Sequence, residues 1–365
     1  MMIAMGSRQK QSYNILSIRW LFWIMASIGS TKAFSRSPWQ FQCLLTQKCN
    51  PPRMSVGDYL GLEYDEPLFR PPAEAGSLIL QVTIGCSWNR CTFCEMYQTK
   101  NFRARKIDEL KEELDFIVES GEGGNIRKVF LADGDAMTLP TGMLVEICSL
   151  IKASLPNVRR ISSYCLPRNV RGKSVEDLRR IAEAGLSLVY VGCESGCDQV
   201  LLACNKGETF QSSVEALGKL RAASIKTSIM ILMGLGGKAL SEEHARQSAY
   251  LVNAGKPNFL STLVVSFPLG QRRVQAGFTD QGVVDFEALS PRETLEELEL
   301  FLTEIDETDE KLQKTIFRSD HASNYFVVKG TLKEKKRMVG EVRRVLNSPE
   351  SEDGRNLRPE WMRGL

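Results

Sequence analysis

The chain has little histidine: His244 and His321 are the only two in 365 residues, and both lie far from the cysteine-rich stretch near the first strand. A structural zinc site needs four protein ligands, which histidine often supplies. The net charge is also small, at +3. A nucleic acid is therefore not expected to bind through bulk electrostatics. With 43% hydrophobic and 25% charged residues, the composition is that of an ordinary globular protein.

The first 57 residues contain no aspartate or glutamate, although they contain seven Lys or Arg. Since the whole chain carries +3, the remainder carries a formal charge of −4. The apolar run Trp20 to Ala26 is too short to span a bilayer, so no integral membrane span is expected. A basic start, a short apolar centre and a small-residue exit are typical of a targeting presequence.

The Ala33–Phe34 junction resembles the plastid presequences of algae with secondary plastids. Residues 1–57 are therefore interpreted as a presequence, for a plastid in preference to a mitochondrion. A mis-assigned start codon is the alternative.

From Ser77 onward, apolar segments of strand length alternate with amphipathic helical patterns. Strands are predicted at 78–84, 128–132, 161–165, 187–192, 228–233 and 260–267, and helices at 107–119, 143–155, 175–184, 213–223, 242–254 and 293–304. Because these strands are apolar throughout, they fit a parallel sheet covered by helices. The pattern predicts an α/β fold, a partial (β/α)6 TIM-like barrel in residues 77–310. A lead-in at 58–76 precedes it and a C-terminal extension at 311–365 follows it.

Three cysteines lie within the stretch GCSWNRCTFCEMY, residues 85–97: Cys86, Cys91 and Cys94. Thiolates are soft ligands that suit zinc, Cu(I) or iron–sulfur clusters. A cubane cluster held by three cysteines leaves one iron open for a substrate or cofactor. The stretch follows the first predicted strand, where ligands of such folds bind. A zinc staple or three incidental buried cysteines are the alternatives.

The stretch FRPPAEAGSLILQVTIGCSWNRCTFCEMY resembles the radical S-adenosylmethionine (SAM) superfamily. It is similar in particular to a branch that contains anaerobic magnesium-protoporphyrin ester cyclases and relatives of oxygen-independent coproporphyrinogen oxidase. The similarity extends from about Tyr64 to Gly330. Four residues separate Cys86 from Cys91, where the family usually has three. The resemblance implies a barrel of the radical SAM type, a [4Fe-4S] cluster held by the three cysteines, and SAM as a cofactor.

The resemblance also implies cofactor-binding residues at the ends of later strands. Asp133, Gly134 and Asp135 would receive the ammonium group of SAM, Glu194 and Ser195 its ribose, Lys206 its carboxylate, and Gly234 and Gly236 would form a turn beneath the adenine. Ordinary turns and a surface lysine are the alternatives. Cys193, Cys197 and Cys204 are interpreted as small buried hydrophobic residues.

The block FRSDHASNYFVVKG, residues 317–330, is typical of the same branch. His321 and Asn324 in it would line a substrate cavity, and a structural histidine is the alternative. The loop FPLGQRRVQAGF after the sixth strand would face the substrate and departs from the branch's pattern, so the substrates of the relatives are a weak basis for inferring the substrate of this chain.

The expected function is that of a radical SAM enzyme. It would cleave SAM reductively to methionine and a 5′-deoxyadenosyl radical, with no catalytic acid or base beyond the cluster. Partners would be an external one-electron donor such as ferredoxin or flavodoxin, and a small-molecule or tetrapyrrole-like substrate. A non-enzymatic iron–sulfur or haem-delivery protein and a zinc-stapled α/β binding protein are the alternatives.

Overall fold

A computed structural model describes residues 60–283, 285–348 and 356–364. The presequence predicted at 1–57 lies outside these residues. The strands are β1 (Leu78–Gln81), β2 (Thr83–Ile84), β3 (Arg103–Ala104), β4 (Lys128–Ala132), β5 (Arg160–Cys165), β6 (Leu186–Glu194), β7 (Lys226–Met233), β8 (Phe259–Val264), β9 (Ile316–Arg318) and β10 (Lys329–Thr331).

The helices surround this set of strands. They are α1 (Ile107–Glu119), α2 (Thr141–Ser154), α3 (Pro167–Arg171), α4 (Val175–Ala184), α5 (Asp198–Ala203), α6 (Phe210–Ala222), α7 (Gly237–Gly255), α8 (Arg272–Asp280), α9 (Pro291–Glu304), α10 (Glu310–Gln313) and α11 (Lys335–Leu346). The six helices predicted from periodicity are all present, with ends that differ by a few residues.

The main sheet has the strand order β1-β4-β5-β6-β7-β8-β9-β10. All neighbours from β1 to β9 are parallel, and β10 pairs with β9 antiparallel. The prediction of a partial α/β barrel is confirmed. Two details differ. First, the predicted strand 78–84 divides into β1 and β2, of which β2 pairs with β3 outside the main sheet. Second, β9 and β10, from the segment assigned to the extension, add two strands that were not predicted.

Two helix starts follow the local signals in the sequence. The Ser290 hydroxyl accepts a hydrogen bond from the Glu293 amide at 3.2 Å, and the Glu293 carboxylate accepts one from the Ser290 amide at 2.7 Å. Ser174 and Asp177 form the same reciprocal pair at the start of α4. Capping boxes of this kind satisfy amides that a helix leaves unpaired.

The two faces of the sheet bury different residues. The outer face packs aliphatic side chains such as Leu80, Leu131 and Ile229 against the helices. The inner face carries aromatic side chains, among which Phe130 and Tyr164 meet edge to face at 5.0 Å. Because the strands run parallel, their carboxyl ends meet at one edge of the sheet, where the candidate residues lie. Among the described residues, no helix combines the length and hydropathy needed to cross a membrane.

Candidate metal centre and cofactor site

The cysteine loop, residues 85–97, connects β2 with the exposed strand β3. Cys86, Cys91 and Cys94 are half-buried in it. Burial raises the pKa of each of these thiols, that of Cys91 to about 12, while the nearby Lys206 ammonium lowers all three. Metal binding requires thiolates, so a cation beside the loop favours the state that binds metal.

Asp133, directly after β4, ties the cysteine loop to the sheet. Its Oδ2 accepts hydrogen bonds from the Gly85 amide at 3.1 Å and from Lys100 Nζ at 2.6 Å. Both members of the ion pair are buried, with side-chain exposures of 3% for Lys100 and 0% for Asp133. Gly134 lies so close to the loop that a Cβ there would be 2.8 Å from the Cys86 Cβ. The position therefore requires glycine.

Asp135 forms a second connection to the same loop. Its carboxylate accepts hydrogen bonds from the Ser87 amide at 2.8 Å, from the Ser87 hydroxyl and from Asn169 Nδ2 at 3.0 Å. Both carboxylates predicted to receive a ligand are thus used within the protein. Asp133 Oδ1 is buried without a hydrogen-bond partner, and so is the nearby hydroxyl of Tyr97, whose pKa burial and the Asp133 carboxylate raise. A buried, unpaired carboxylate oxygen is costly unless a ligand satisfies it.

Glu194 and Lys206, predicted separately, form a buried pair beside the cysteine loop. Lys206 Nζ lies 3.0 Å from Glu194 Oε1, with side-chain exposures of 4% and 12%. Burial acts to lower the pKa of Lys206, but the Glu194 carboxylate raises it overall. A Cβ at residue 192 would be 2.3 Å from Glu194 Oε1, so Gly192 leaves the space that the pair needs.

The backbone at Glu194 directs its side chain toward this edge. The register between β6 and β7 shifts between Gly192 and Glu194, and Glu194 has a φ of 65°. Such a bulge re-aims a side chain at the end of a strand. A left-handed φ at a non-glycine residue costs about 1–3 kcal/mol and is concentrated at functional sites.

Arg168 holds the loop that carries Lys206. Its guanidinium stacks 3.6 Å from the ring centroid of Trp88 in the cysteine loop. It also donates to the Lys206 carbonyl at 3.0 Å and to Glu208 Oε1 at 2.8 Å. Two segments that lie more than 100 residues apart in the chain are thereby brought to the same edge.

Ser195 lies behind Glu194 and is fully buried. His244 Nε2 donates to the Leu232 carbonyl at 3.0 Å, so Nδ1 accepts from the Ser195 hydroxyl at 2.8 Å. The same hydroxyl accepts from the Cys197 amide at 2.9 Å. Burial lowers the pKa of His244 to about 4, which keeps the ring neutral. The Ser195 hydroxyl therefore has its partners within the protein.

Gly234, after β7, is hydrogen-bonded to the buried side chain of Glu297. The Gly234 amide donates to Glu297 Oε1 at 2.6 Å, and the Ser241 hydroxyl donates to Oε2 at 2.5 Å. Burial raises the pKa of Glu297 to about 7, against these two donors, which lower it. Gly234 has a φ of +82°, a conformation that favours glycine, whereas the φ of Gly236 is −78°.

A cavity of about 340 Å³ opens beside the Gly234 turn. Its walls include the ends of β7 and β8 and the C-terminal segment, with Val265, Tyr325 and Arg363 among the lining residues. Small-molecule sites typically occupy clefts of about 300–1,000 Å³. The cavity is therefore large enough for a small ligand.

His321 and Asn324 lie beside the end of β8, where their side chains bond to the protein itself. His321 Nδ1 lies 2.8 Å from the Ser323 hydroxyl. Asn324 Nδ2 donates to the Thr262 carbonyl at 2.8 Å. Of this segment, Tyr325 is among the residues that line the cavity.

The donor set at this edge suits an iron–sulfur cluster. In the described part of the chain, no three or more His, Cys, Asp or Glu side chains are arranged around a single metal ion. A cubane does not require that arrangement, because each of its cysteines binds a different iron. Three half-buried thiols on one loop, a buried lysine beside them and the unpaired Asp133 Oδ1 fit a cluster together with a cationic ligand group.

Comparison with known proteins agrees with this geometry. The family model described as the radical SAM superfamily matches residues 80–247. This part of the chain is similar to the radical SAM superfamily. The matched residues contain the three cysteines and every predicted cofactor-binding residue, whereas His321 and Asn324 lie beyond them.

Curated relatives match over part of their length. A 4′-phospho-dehydrooxetanocin synthase of Priestia megaterium is 28% identical over 173 residues, which are 43% of this chain and 23% of that protein. A tRNA-2-methylthio-N(6)-dimethylallyladenosine synthase of Syntrophobacter fumaroxidans is 27% identical over 226 residues, 58% of this chain and 46% of that protein. The chain spans less than half the length of these two relatives, both of which are enzymes.

Solved structures are similar at low sequence identity. Coproporphyrinogen III oxidase from Escherichia coli matches with a TM-score of 0.44 and 15% identity, over 79% of this chain and 71% of that one. Methylornithine synthase matches with a TM-score of 0.43 and 18% identity, over 63% of each chain.

Sequence reasoning missed several residues at this edge. Lys100, Asn169 and Glu297 each hold a predicted site residue through a bond that spans 33 to 63 positions. Arg273 contacts the cysteine loop across about 180 positions. The local sequence gives no signal for such partners, apart from the unusual segment FPLGQRRVQAGF, which was predicted as a loop and in which helix α8 begins at Arg272.

Proposed function

We propose that this protein is a radical SAM enzyme that cleaves SAM reductively at a [4Fe-4S] cluster. When bound, such a cluster supplies the electron that converts SAM to methionine and a 5′-deoxyadenosyl radical. The observation that carries the proposal is the convergence of the three-cysteine loop with the buried Glu194–Lys206 pair at one edge of the sheet. The match to the superfamily model over residues 80–247 supports it.

In this proposal each residue contacts the cluster or SAM through an atom that still has bonding capacity. Cys86, Cys91 and Cys94 hold the cluster as thiolates. The unpaired Asp133 Oδ1 accepts a hydrogen bond from the SAM ammonium. Glu194 shares one oxygen with Lys206 and offers the other to the ribose hydroxyls, while Lys206 keeps donors for the SAM carboxylate.

The Gly234 turn and the cavity beside it complete the proposed cofactor site. The turn would support the adenine, and Gly236 and Ser195 would shape the backbone around it. Closure by the C-terminal segment would limit water at the site, which suppresses side reactions of a radical. His321 and Asn324 remain proposed neighbours of the substrate.

The finer assignments rest on the sequence resemblance. We infer a small-molecule substrate, with tetrapyrrole-related chemistry as the specific candidate, and an external donor such as ferredoxin or flavodoxin. The acid-free first 57 residues support import into an organelle, with a plastid as the candidate.

The experiment is anaerobic reconstitution with iron and sulfide, followed by incubation with SAM and dithionite. We expect roughly four irons per chain, broad visible absorption and formation of 5′-deoxyadenosine. Iron uptake with haem binding and no SAM cleavage would favour a delivery protein. Bound zinc without visible absorption would favour a zinc-stapled protein, and either result would overturn the proposal.

A further inference from the structure

Helix α8, which follows the unusual loop after β8, covers the cysteine loop. Its apolar side, with Val274 and Phe278, packs in a cluster that also contains Cys204 and the partly buried Phe93. Gly277 lies against the Ala203 carbonyl and the Thr92 side chain. The helix is thus anchored at a fixed distance from the loop that carries the three thiols.

Arg273 extends from this helix to the backbone of the cysteine loop. Its Nη1 donates to the Cys94 carbonyl at 2.9 Å and its Nη2 donates to the Cys91 carbonyl at 3.0 Å. The fork of the guanidinium therefore joins the backbone of two cysteines that lie three positions apart. A planar fork with several donors suits two acceptors at once, which a lysine ammonium does less well.

The loop has few other restraints between these two cysteines. The Cys94 amide donates to the Cys91 carbonyl at 3.3 Å, and the Thr92 amide donates to the Cys204 carbonyl at 2.9 Å. The Cys94 carbonyl accepts from Gln98 Nε2 at 3.0 Å as well as from Arg273, and of these two donors only Arg273 also bonds the Cys91 carbonyl.

We propose that Arg273 is a positioning residue for the cluster-binding loop and that its charge stabilises the reduced cluster. This inference depends on the proposed function. One-electron reduction by the external donor adds one negative charge to the cluster, and hydrogen bonds and nearby charge set cluster potentials. An arginine stays charged at every working pH, so its contribution is constant. Helix α8 thereby takes part in tuning the cluster.

The positioning role is tested first in protein without cluster. Hydrogen exchange of the peptide that contains residues 85–97 is compared between wild type, Arg273→Ala and Arg273→Lys. We expect several-fold faster exchange in Arg273→Ala and an intermediate rate in Arg273→Lys, because lysine replaces one of two hydrogen bonds. Arg272→Ala, an exposed position on the same helix, should match wild type. Equal exchange in Arg273→Ala and wild type would overturn the positioning role.

The electrostatic role is tested by redox titration of the reconstituted proteins, followed by the spectrum of the reduced cluster. The midpoint potential should become more negative in Arg273→Ala and stay near wild type in Arg273→Lys and Arg272→Ala. If Arg273→Ala takes up no cluster, the midpoint potentials of Arg273→Lys and Arg273→Gln are compared instead. The neutral Arg273→Gln variant should then have the more negative potential. An unchanged potential in the neutral variants would overturn this role. Wild-type protein without iron would instead overturn the proposed function.

Discussion

The described cysteines fall into two groups that differ in exposure more than in electrostatics. Cys86, Cys91 and Cys94 are half-buried on a loop, whereas Cys148, Cys165, Cys193, Cys197 and Cys204 are buried. Burial raises the pKa of the thiols in both groups, and the Lys206 ammonium lowers it for Cys193 and Cys204 as well as for the loop. Proximity to the cation therefore does not separate ligands from core residues. Access to the open edge of the barrel does.

Removing one loop thiol is the most direct test of the difference between the two groups of cysteines. Cys91→Ala leaves one iron without its protein ligand, so the cluster should be lost or labile after reconstitution. Iron content and visible absorption measure this outcome, with wild-type protein reconstituted in parallel. A full complement of iron in Cys91→Ala would contradict the assignment of the loop thiols as ligands.

A second change tests the charge pair that lies between the two groups. Glu194→Gln leaves the Lys206 ammonium buried without its carboxylate, and breaking a buried pair in this way costs about 3–5 kcal/mol. We expect urea denaturation of the cluster-free variant to report a loss near the lower figure, because the Glu194 side chain is 12% exposed. SAM binding should weaken while iron is retained.

The matched controls are an exposed glutamate and a double variant. Glu243→Gln changes an exposed residue of α7 and should leave stability unchanged. Glu194→Gln combined with Lys206→Met removes both charges and should regain most of the lost stability. A single variant as stable as wild type would mean that the pair is solvated and not a buried element of the site.

A third prediction concerns Glu297 behind the Gly234 turn. Its pKa is raised from 4.5 to about 7 in the folded chain. Its contribution to stability is therefore complete below pH 4.5 and declines as the pH rises to 7, because the unfolded carboxyl ionises first. The decline is on the order of 3 kcal/mol at 1.36 kcal/mol per pKa unit. Glu297→Gln should remove it.

Chemical denaturation at pH 5, 6 and 7 measures this difference between wild type and variant. His244, whose pKa is lowered to about 4, contributes a slope of opposite sign, since its stabilising effect is lost as the pH falls below 6.5. Its Nε2 lies 3.9 Å from Glu297 Oε1, so the same pH series is also recorded for His244→Gln and for the double variant, which separates the two contributions. Glu296→Gln, at an exposed position on the same helix, should follow wild type. Parallel pH curves for wild type and Glu297→Gln would show that the carboxyl is ionised throughout.

The sequence predicted the parts of the molecule that depend on local signals. Apolar runs predicted the six main strands, and amphipathic patterns predicted six of the helices. Strands β9 and β10 were missed because each has only three residues, among them Arg318 and Lys329. Such short, partly polar segments become strands only through their neighbours in the sheet.

The residues of the candidate site also divide into those with a local sequence signal and those that only the packed fold reveals. Spacing and the family resemblance identified the thiol loop, Glu194 and Lys206, but not that Lys206 pairs with Glu194. Lys100, Glu297 and Arg273 could not be predicted, because their partners lie 33 to 182 positions away. Contacts of that range depend on the packed fold, and no local pattern encodes them.

The smallest expected effect comes from a buried thiol close to the site. Cys193 is fully buried on β6, next to Glu194, yet it belongs to the aliphatic core between sheet and helices. Cys193→Ala should therefore cost only packing, on the order of 1–2 kcal/mol in the free energy of unfolding, and retain full iron. Cys148→Ala, in α2, is the matched control away from the site and should behave alike. Lost iron in Cys193→Ala alone would show that a fully buried thiol is needed for the cluster, and access to the open edge would then not separate ligands from core cysteines.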